Sequence, residues 1–182
     1  MEVKLQDFKK QKHQQKKSIV LFLWILISGI IFQSSIPFPI LLKKILLKMF
    51  GAKIGDGFVI KSKVNIKYPW KLIIGNHVWI GEGVWIDNLD FVNIHSNVCI
   101  SQGAMLLTGN HDYRSSSFDL MMGPIILKDG VWIAAKSVVC PNVICEKNSI
   151  LTVGSILQKN TKENGIYKGH PAIYLRNRVN ES

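Results

Sequence analysis

Cysteine is scarce: Cys99, Cys140 and Cys145 form neither an even set nor a C-x-x-C pair, which argues against a disulfide framework and against a thiol metal or redox motif. All three lie in or beside apolar positions and read as reduced, small hydrophobic side chains. Acidic residues are few, 12 Asp and Glu against 23 Lys and Arg, for a formal net charge of +11. Such a balance suits an anionic partner, and nucleic acid, an anionic membrane surface and phosphate-bearing small molecules all qualify. A long apolar run is missing. Ile19 to Phe32 spans about 14 residues before Gln33-Ser34-Ser35, short of the ~20 that a spanning helix needs. No A-x-A-like cleavage site follows, and the segment runs into Pro37 and Pro39, which speaks against a secretory signal. With 182 residues, the chain holds one core plus an appendage.

Lysine crowds both ends, at Lys4, Lys9, Lys10, Lys12, Lys16 and Lys17 and again at Lys159, Lys162 and Lys168, the latter joined by Arg176 and Arg178. No recognised nucleic-acid motif accompanies them. From Ile40 to Phe50, Lys43, Lys44 and Lys48 alternate with Leu41, Leu42, Ile45, Leu46 and Leu47 at helical spacing. A helix of that pattern packs on the protein body or lies on anionic lipid, and both readings stand. Residues 1–50 therefore read as a basic tail with apolar and amphipathic helical segments, and residues 51–182 as a separate domain.

That domain is governed by a period of six. Aliphatic residues recur at Ile54, Ile60 and Ile66, at Ile74, Ile80 and Ile86, at Ile94, Ile100 and Leu106, and from Leu127 through Ile133, Val139, Cys145 and Leu151 to Leu157. Four positions later stand small or β-branched residues, among them Val64, Val78, Val98, Val131 and Ser155. A helix would repeat at 3.6 and a half-buried strand at two, so neither accounts for six. A parallel β-helix does: each unit forms one short side of a triangular coil, points its aliphatic residue inward and turns at a following Gly or Asn. The phase breaks near Tyr68-Pro69-Trp70, at Leu89 to Asn93, and in a loop over 110–125.

Segments such as Ile74-Gly75-Asn76-His77-Val78-Trp79-Ile80-Gly81 and Asp129-Gly130-Val131-Trp132-Ile133 resemble the hexapeptide-repeat acyltransferases. Phe50-Gly51-Ala52-Lys53-Ile54-Gly55, Val64-Asn65-Ile66-Lys67-Tyr68-Pro69-Trp70, Gly83-Val84-Trp85-Ile86-Asp87-Asn88 and Thr108-Gly109-Asn110-His111-Asp112-Tyr113 resemble one branch of them, the colanic acid biosynthesis acetyltransferases. The resemblance covers essentially the whole chain. It implies an all-β, left-handed parallel β-helix with an N-terminal α-helical segment, a homotrimer, and acetyl-CoA as co-substrate without a metal. The implied reaction is O-acetylation of a sugar hydroxyl in bacterial exopolysaccharide synthesis, in the cytoplasm. A lipid-linked glycan at the inner membrane face is the acceptor that the basic, apolar N-terminus suggests. An amino sugar or serine acceptor, or a non-catalytic membrane-associated scaffold, are the alternatives.

Acetyl transfer needs a base for the acceptor proton, and an imidazole with an ordinary pKa of ~6.5 suits that task. His13 lies in the basic tail, His77 and His95 fall at corners of ordinary repeats, and His170 sits in Gly169-His170-Pro171-Ala172. His111 alone follows a repeat that leaves the coil for a long loop, and such loops are usually functional. The resemblance matches it to the family's base. It also matches Asp87 and Asn88 to acceptor-holding positions, with a corner-shaping role as the alternative. Trp132, Ala135, Val153, Lys159 and Arg176 match positions that contact coenzyme A. The sequence departs from the family pattern at Val153, Gln158 and His170. A zinc enzyme on the same coil, as in the γ-class carbonic anhydrases, would need three suitably placed histidines, and His77, His95 and His111 occupy different positions within their repeats.

Overall fold

Repeats of six residues become coils of three short strands in the computed structural model, which describes residues 3–8 and 18–178. The lysine run from Lys9 to Lys17 and His13 lie outside the described residues. The first coil holds β1 (Lys53–Ile54), β2 (Val59–Ile60) and β3 (Asn65–Ile66), and the second β4 (Leu72–Ile74), β5 (Trp79–Ile80) and β6 (Trp85–Asp87). The third holds β7 (Val92–Ile94), β8 (Cys99–Ile100) and β9 (Met105–Leu107), followed by a hairpin of β10 (Gly109–His111) and β11 (Leu120–Met122). A fourth coil, β12 (Ile125–Leu127), β13 (Trp132–Ile133) and β14 (Val138–Val139), precedes a fifth, β15 (Ile144–Cys145), β16 (Ile150–Leu151) and β17 (Ile156–Leu157). The chain closes with β18 (Gly165–Gly169) and β19 (Ala172–Asn177).

Each coil contributes one strand to each of three parallel faces, ordered β1-β4-β7-β12-β15, β2-β5-β8-β13-β16 and β3-β6-β9-β14-β17. Registers stack like on like. On the second face Ile60, Ile80, Ile100, Ile133 and Leu151 form one column, and the six-residue series supplies equivalent columns on the other two. None of these fifteen inward side chains is more than 7% exposed. The solenoid is thus a parallel β-helix around a continuous aliphatic core, and burial of that column is its main source of stability.

The corners depart in one detail from the sequence reading. Positive φ falls three residues after the inward aliphatic, as at Gly57, His77, Gly83 and Asn97, rather than immediately after it. The glycine directly following serves close approach instead: a Cβ on Gly81 would stand 2.7 Å from the Gln102 nitrogen one coil on.

At the first coil the helices fold back as a cap. α1 (Ser18–Ile27) continues into a π-helical turn over Ser28–Phe32, and α2 (Ile40–Met49) follows. Trp24 is fully buried, donates from Nε1 to the Ile66 carbonyl at 2.9 Å, and lies 5.2 and 5.1 Å from the rings of Phe32 and Phe50. Lys43 reaches through the cap to donate to the Lys61 carbonyl at 2.8 Å, and burial lowers its pKa. The inner sides of both helices therefore pack on the domain. Among the described residues no helix is long and apolar enough to cross a membrane. At the other end β18 extends the second face in parallel with β16, and β19 pairs with it antiparallel.

Candidate functional site

The corner between the third and first faces carries the irregular insertions. In the first coil it is a 3₁₀ turn over Pro69–Lys71, and in the third it opens into the β10–β11 hairpin. Thr108, fully buried, ties that hairpin to the coil below. Its Oγ1 donates to the Asp87 carbonyl and accepts from the Asp90 N–H, both at 2.9 Å, while its carbonyl accepts from Gly123 N–H at 2.9 Å. Gly109 follows because a Cβ there would press on the Leu89 side chain. His111 thus stands two residues beyond a fixed root, paired in register with Leu120.

The loop between the hairpin strands is built to orient that imidazole. Asp112 accepts from the N–H of Arg114 at 3.0 Å and from its guanidinium at 3.1 Å, and those two bonds, backbone first, lower the Asp112 pKa. Ser115 donates to Asp119 Oδ2 at 2.7 Å. The turn ends at Phe118 with φ of +51°, a conformation costly for a bulky residue and tolerated only where neighbours enforce it. In it the Phe118 carbonyl lies 2.7 Å from His111 Nδ1, and the two rings stack at 4.3 Å with 6° between planes. A carbonyl only accepts, so Nδ1 carries a hydrogen, and in the neutral imidazole the lone pair then sits on Nε2. The N-terminal segment adds a second wall: Lys4 N–H donates to the Ser116 carbonyl at 2.8 Å, and the Phe8 ring lies 5.7 Å from the imidazole.

The two residues matched to the acceptor separate here. Asp87 closes β6 at the hairpin's root, with its carboxylate 2.9 Å from Lys67 Nζ. Asn88 is fully buried, and its amide accepts from Tyr68 N–H at 2.9 Å and donates to the Tyr68 carbonyl at 2.6 Å. Turned inward, Asn88 holds the corner below it. Beside the hairpin a cleft of about 340 Å³ runs between Asn110, Met121 and Met122 on one side and Cys140, Asn142 and Gln158 on the other. Burial raises the Cys140 thiol pKa and, with Glu146 adding to it, pushes Cys145 up to about 12. Neither is a ready thiolate nucleophile.

The residues matched to coenzyme A are divided between corners. Lys159 is exposed next to Gln158, at the same corner as His111. Trp132 lies on the second face, 44% exposed, with Nε1 donating to Ser101 Oγ at 2.9 Å. Ala135 and Val153 occupy the corner between the second and third faces, joined by the Gly154 N–H donating to the Ala135 carbonyl at 2.9 Å. Val153 is 68% exposed, and Arg176 is exposed on β19. Within one chain, therefore, the imidazole and most of these groups lie on different edges of the prism. The other described histidines stay apart from His111: His77 takes a positive-φ corner, His95 Nδ1 sits 3.9 Å from Asp129 Oδ2, and His170 is exposed near the final hairpin.

Thr108, Phe118 and Phe8 join the site only in the structure. Thr108 carries a signal in its place within the Thr-Gly-Asn-His segment. No periodicity marks Phe118 or Phe8.

No known family model matches the chain. It is 34% identical over 157 residues to "Putative colanic acid biosynthesis acetyltransferase WcaF" of Escherichia coli strain K12, a match covering 86% of each protein. It is 27% identical over 149 residues to the galactoside O-acetyltransferase of the same strain, over 80% of this chain and 73% of that one. Its backbone superposes with a TM-score of 0.82 on a hexapeptide-repeat acetyltransferase of Vibrio cholerae O1 biovar eltor solved with acetyl coenzyme A, over 97% of this chain and 96% of that one. At 18% identity that last likeness speaks for the fold.

Proposed function

Because the chain belongs to the hexapeptide-repeat acetyltransferases, acyltransferases that use acetyl-CoA, we propose that it O-acetylates a sugar hydroxyl in exopolysaccharide synthesis, with His111 as general base. The observation that carries the residue assignment is the Phe118 carbonyl on Nδ1, which leaves Nε2 as the free basic nitrogen. Nε2 takes the acceptor hydroxyl's proton as its oxygen attacks, and the Nδ1–H bond to Phe118 supports the imidazolium that forms. The imidazolium then returns the proton to the departing thiol. Acetyl-CoA supplies the acyl group as a thioester. Trp132 offers an exposed apolar ring to the pantetheine arm, and Lys159 and Arg176 offer cations to the phosphates. The Ala135 N–H is given to no backbone carbonyl among the described residues, so it is free to meet developing negative charge.

The division of these groups between edges supports a homotrimer. Three solenoids packed side by side bring the His111 corner of one copy against the corner between the second and third faces of the next, and exposed Trp79 and Trp85 pack between copies. Asp87 is the acceptor contact at the hairpin root. The protein works in the cytoplasm on a colanic-acid-like glycan, carried on lipid.

Phe118 is the positioning residue in this scheme. Phe118→Gly keeps the carbonyl and relieves the positive φ but removes the stacked ring, a contact worth ~0.5–1.5 kcal/mol. We expect kcat to fall up to about tenfold, with KM for both substrates within about twofold and thermal stability equal or higher. Steady-state kinetics with calorimetry check this, and an unchanged kcat would remove Phe118 from the mechanism.

A further inference from the structure

We propose that the outer side of the N-terminal helical cap is a docking surface for an anionic lipid bilayer, on which α1 and α2 lie in plane. This stands apart from the chemistry assigned to His111. The cap is apolar on both of its sides. Val20, Trp24, Ile27 and Ile31 face the first coil. On α1 and its continuation, Phe22, Leu26 and Ile30 recur every fourth residue and are 59%, 49% and 63% exposed, and on α2 Leu41, Ile45 and Met49 do the same at 69%, 48% and 73%. A helix apolar all round belongs in an apolar setting on every side, and so many large apolar side chains on one region exceed what a free surface carries. The coil covers only one of those sides.

Charge identifies what covers the other. Between Asp7 and Asp56 the chain has no Asp or Glu and nine lysines. Of those with described positions, Lys48 and Lys53 are exposed, Lys43 is buried beneath the cap, and Lys44 pairs with Asp56 at 3.3 Å. An apolar helix face in a wholly cationic segment is the pattern of interfacial binding to acidic headgroups. A second copy is the poorer occupant, because a twofold contact sets this acid-free surface against itself. No described helix is long and apolar enough to cross, so the cap lies on the bilayer rather than through it.

The test is co-sedimentation of the full chain with phosphatidylcholine vesicles, with and without phosphatidylglycerol. We expect binding to the phosphatidylglycerol vesicles only, weakened several-fold in about 1 M salt, where the screening length is ~3 Å. The triple variant Phe22→Gln, Ile30→Gln, Leu41→Gln alters exposed side chains only. It should bind at least about tenfold more weakly, with circular dichroism and thermal midpoint unchanged. Wild type remaining in the supernatant with both vesicles, or the variant binding equally well, would overturn the proposal. So would lipid-free self-association that the triple substitution abolishes, since that makes the occupant a second copy.

Discussion

Replacing His111 with alanine lowers kcat for acetyl transfer by about 10²- to 10⁴-fold, the usual worth of a positioned acid–base group. KM for acetyl-CoA is expected to stay near its wild-type value, because the residues proposed to hold coenzyme A are others. Stability changes by no more than about 1 kcal/mol, since the side chain is half-buried at the end of β10 in the outer hairpin and supports no part of the core. His111→Gln sharpens the case: an amide can occupy the space and still donate to the Phe118 carbonyl, yet it has no basic nitrogen. Equal losses in both variants, measured by release of free coenzyme A alongside acetyl incorporation, assign the effect to proton transfer. Activity of His111→Gln near wild type would make the residue a hydrogen-bonding support instead.

The largest loss of stability is expected at the middle of the aliphatic column. Ile100 is fully buried, with Ile80 in register on one side and Ile133 on the other. A solenoid cannot collapse inward at one coil without breaking register with both neighbours, so the cavity left by Ile100→Ala stays open. The cost is about 2–5 kcal/mol, against about 0.5–1.5 for Ile100→Val. For a chain of this size that corresponds to a fall in thermal midpoint of roughly 4–20 °C for alanine. A shift of under about 2 °C would mean that the column carries less of the stability than its burial implies.

Sequence and structure agree most closely where one residue type recurs at one phase. The inward positions from Ile54 to Leu157 could be read without coordinates, because within each unbroken run they sit six residues apart and all but Cys145 are aliphatic. The hairpin at His111 was marked by the place where that phase fails. Corner geometry was harder to read, since Gly81 and Gly83 look alike in sequence yet one serves close approach and the other positive φ. Asn88 was harder still: an amide next to a carboxylate at a phase break suits a ligand or a corner, and its paired bonds to Tyr68 follow from no residue pattern. The Phe118 carbonyl is a backbone group aimed by a single torsion, and no residue pattern encodes it.

The central claim is that this chain transfers acetyl to a hydroxyl through His111. Its most direct measurement is mass spectrometry of the products formed from acetyl-CoA and lipid-linked glycans bearing both free hydroxyls and an amine. The prediction is one added acetyl group, removed by mild alkali as an ester is, and absent with His111→Ala. An alkali-stable amide product, or equal coenzyme A release by wild type and His111→Ala, would contradict it.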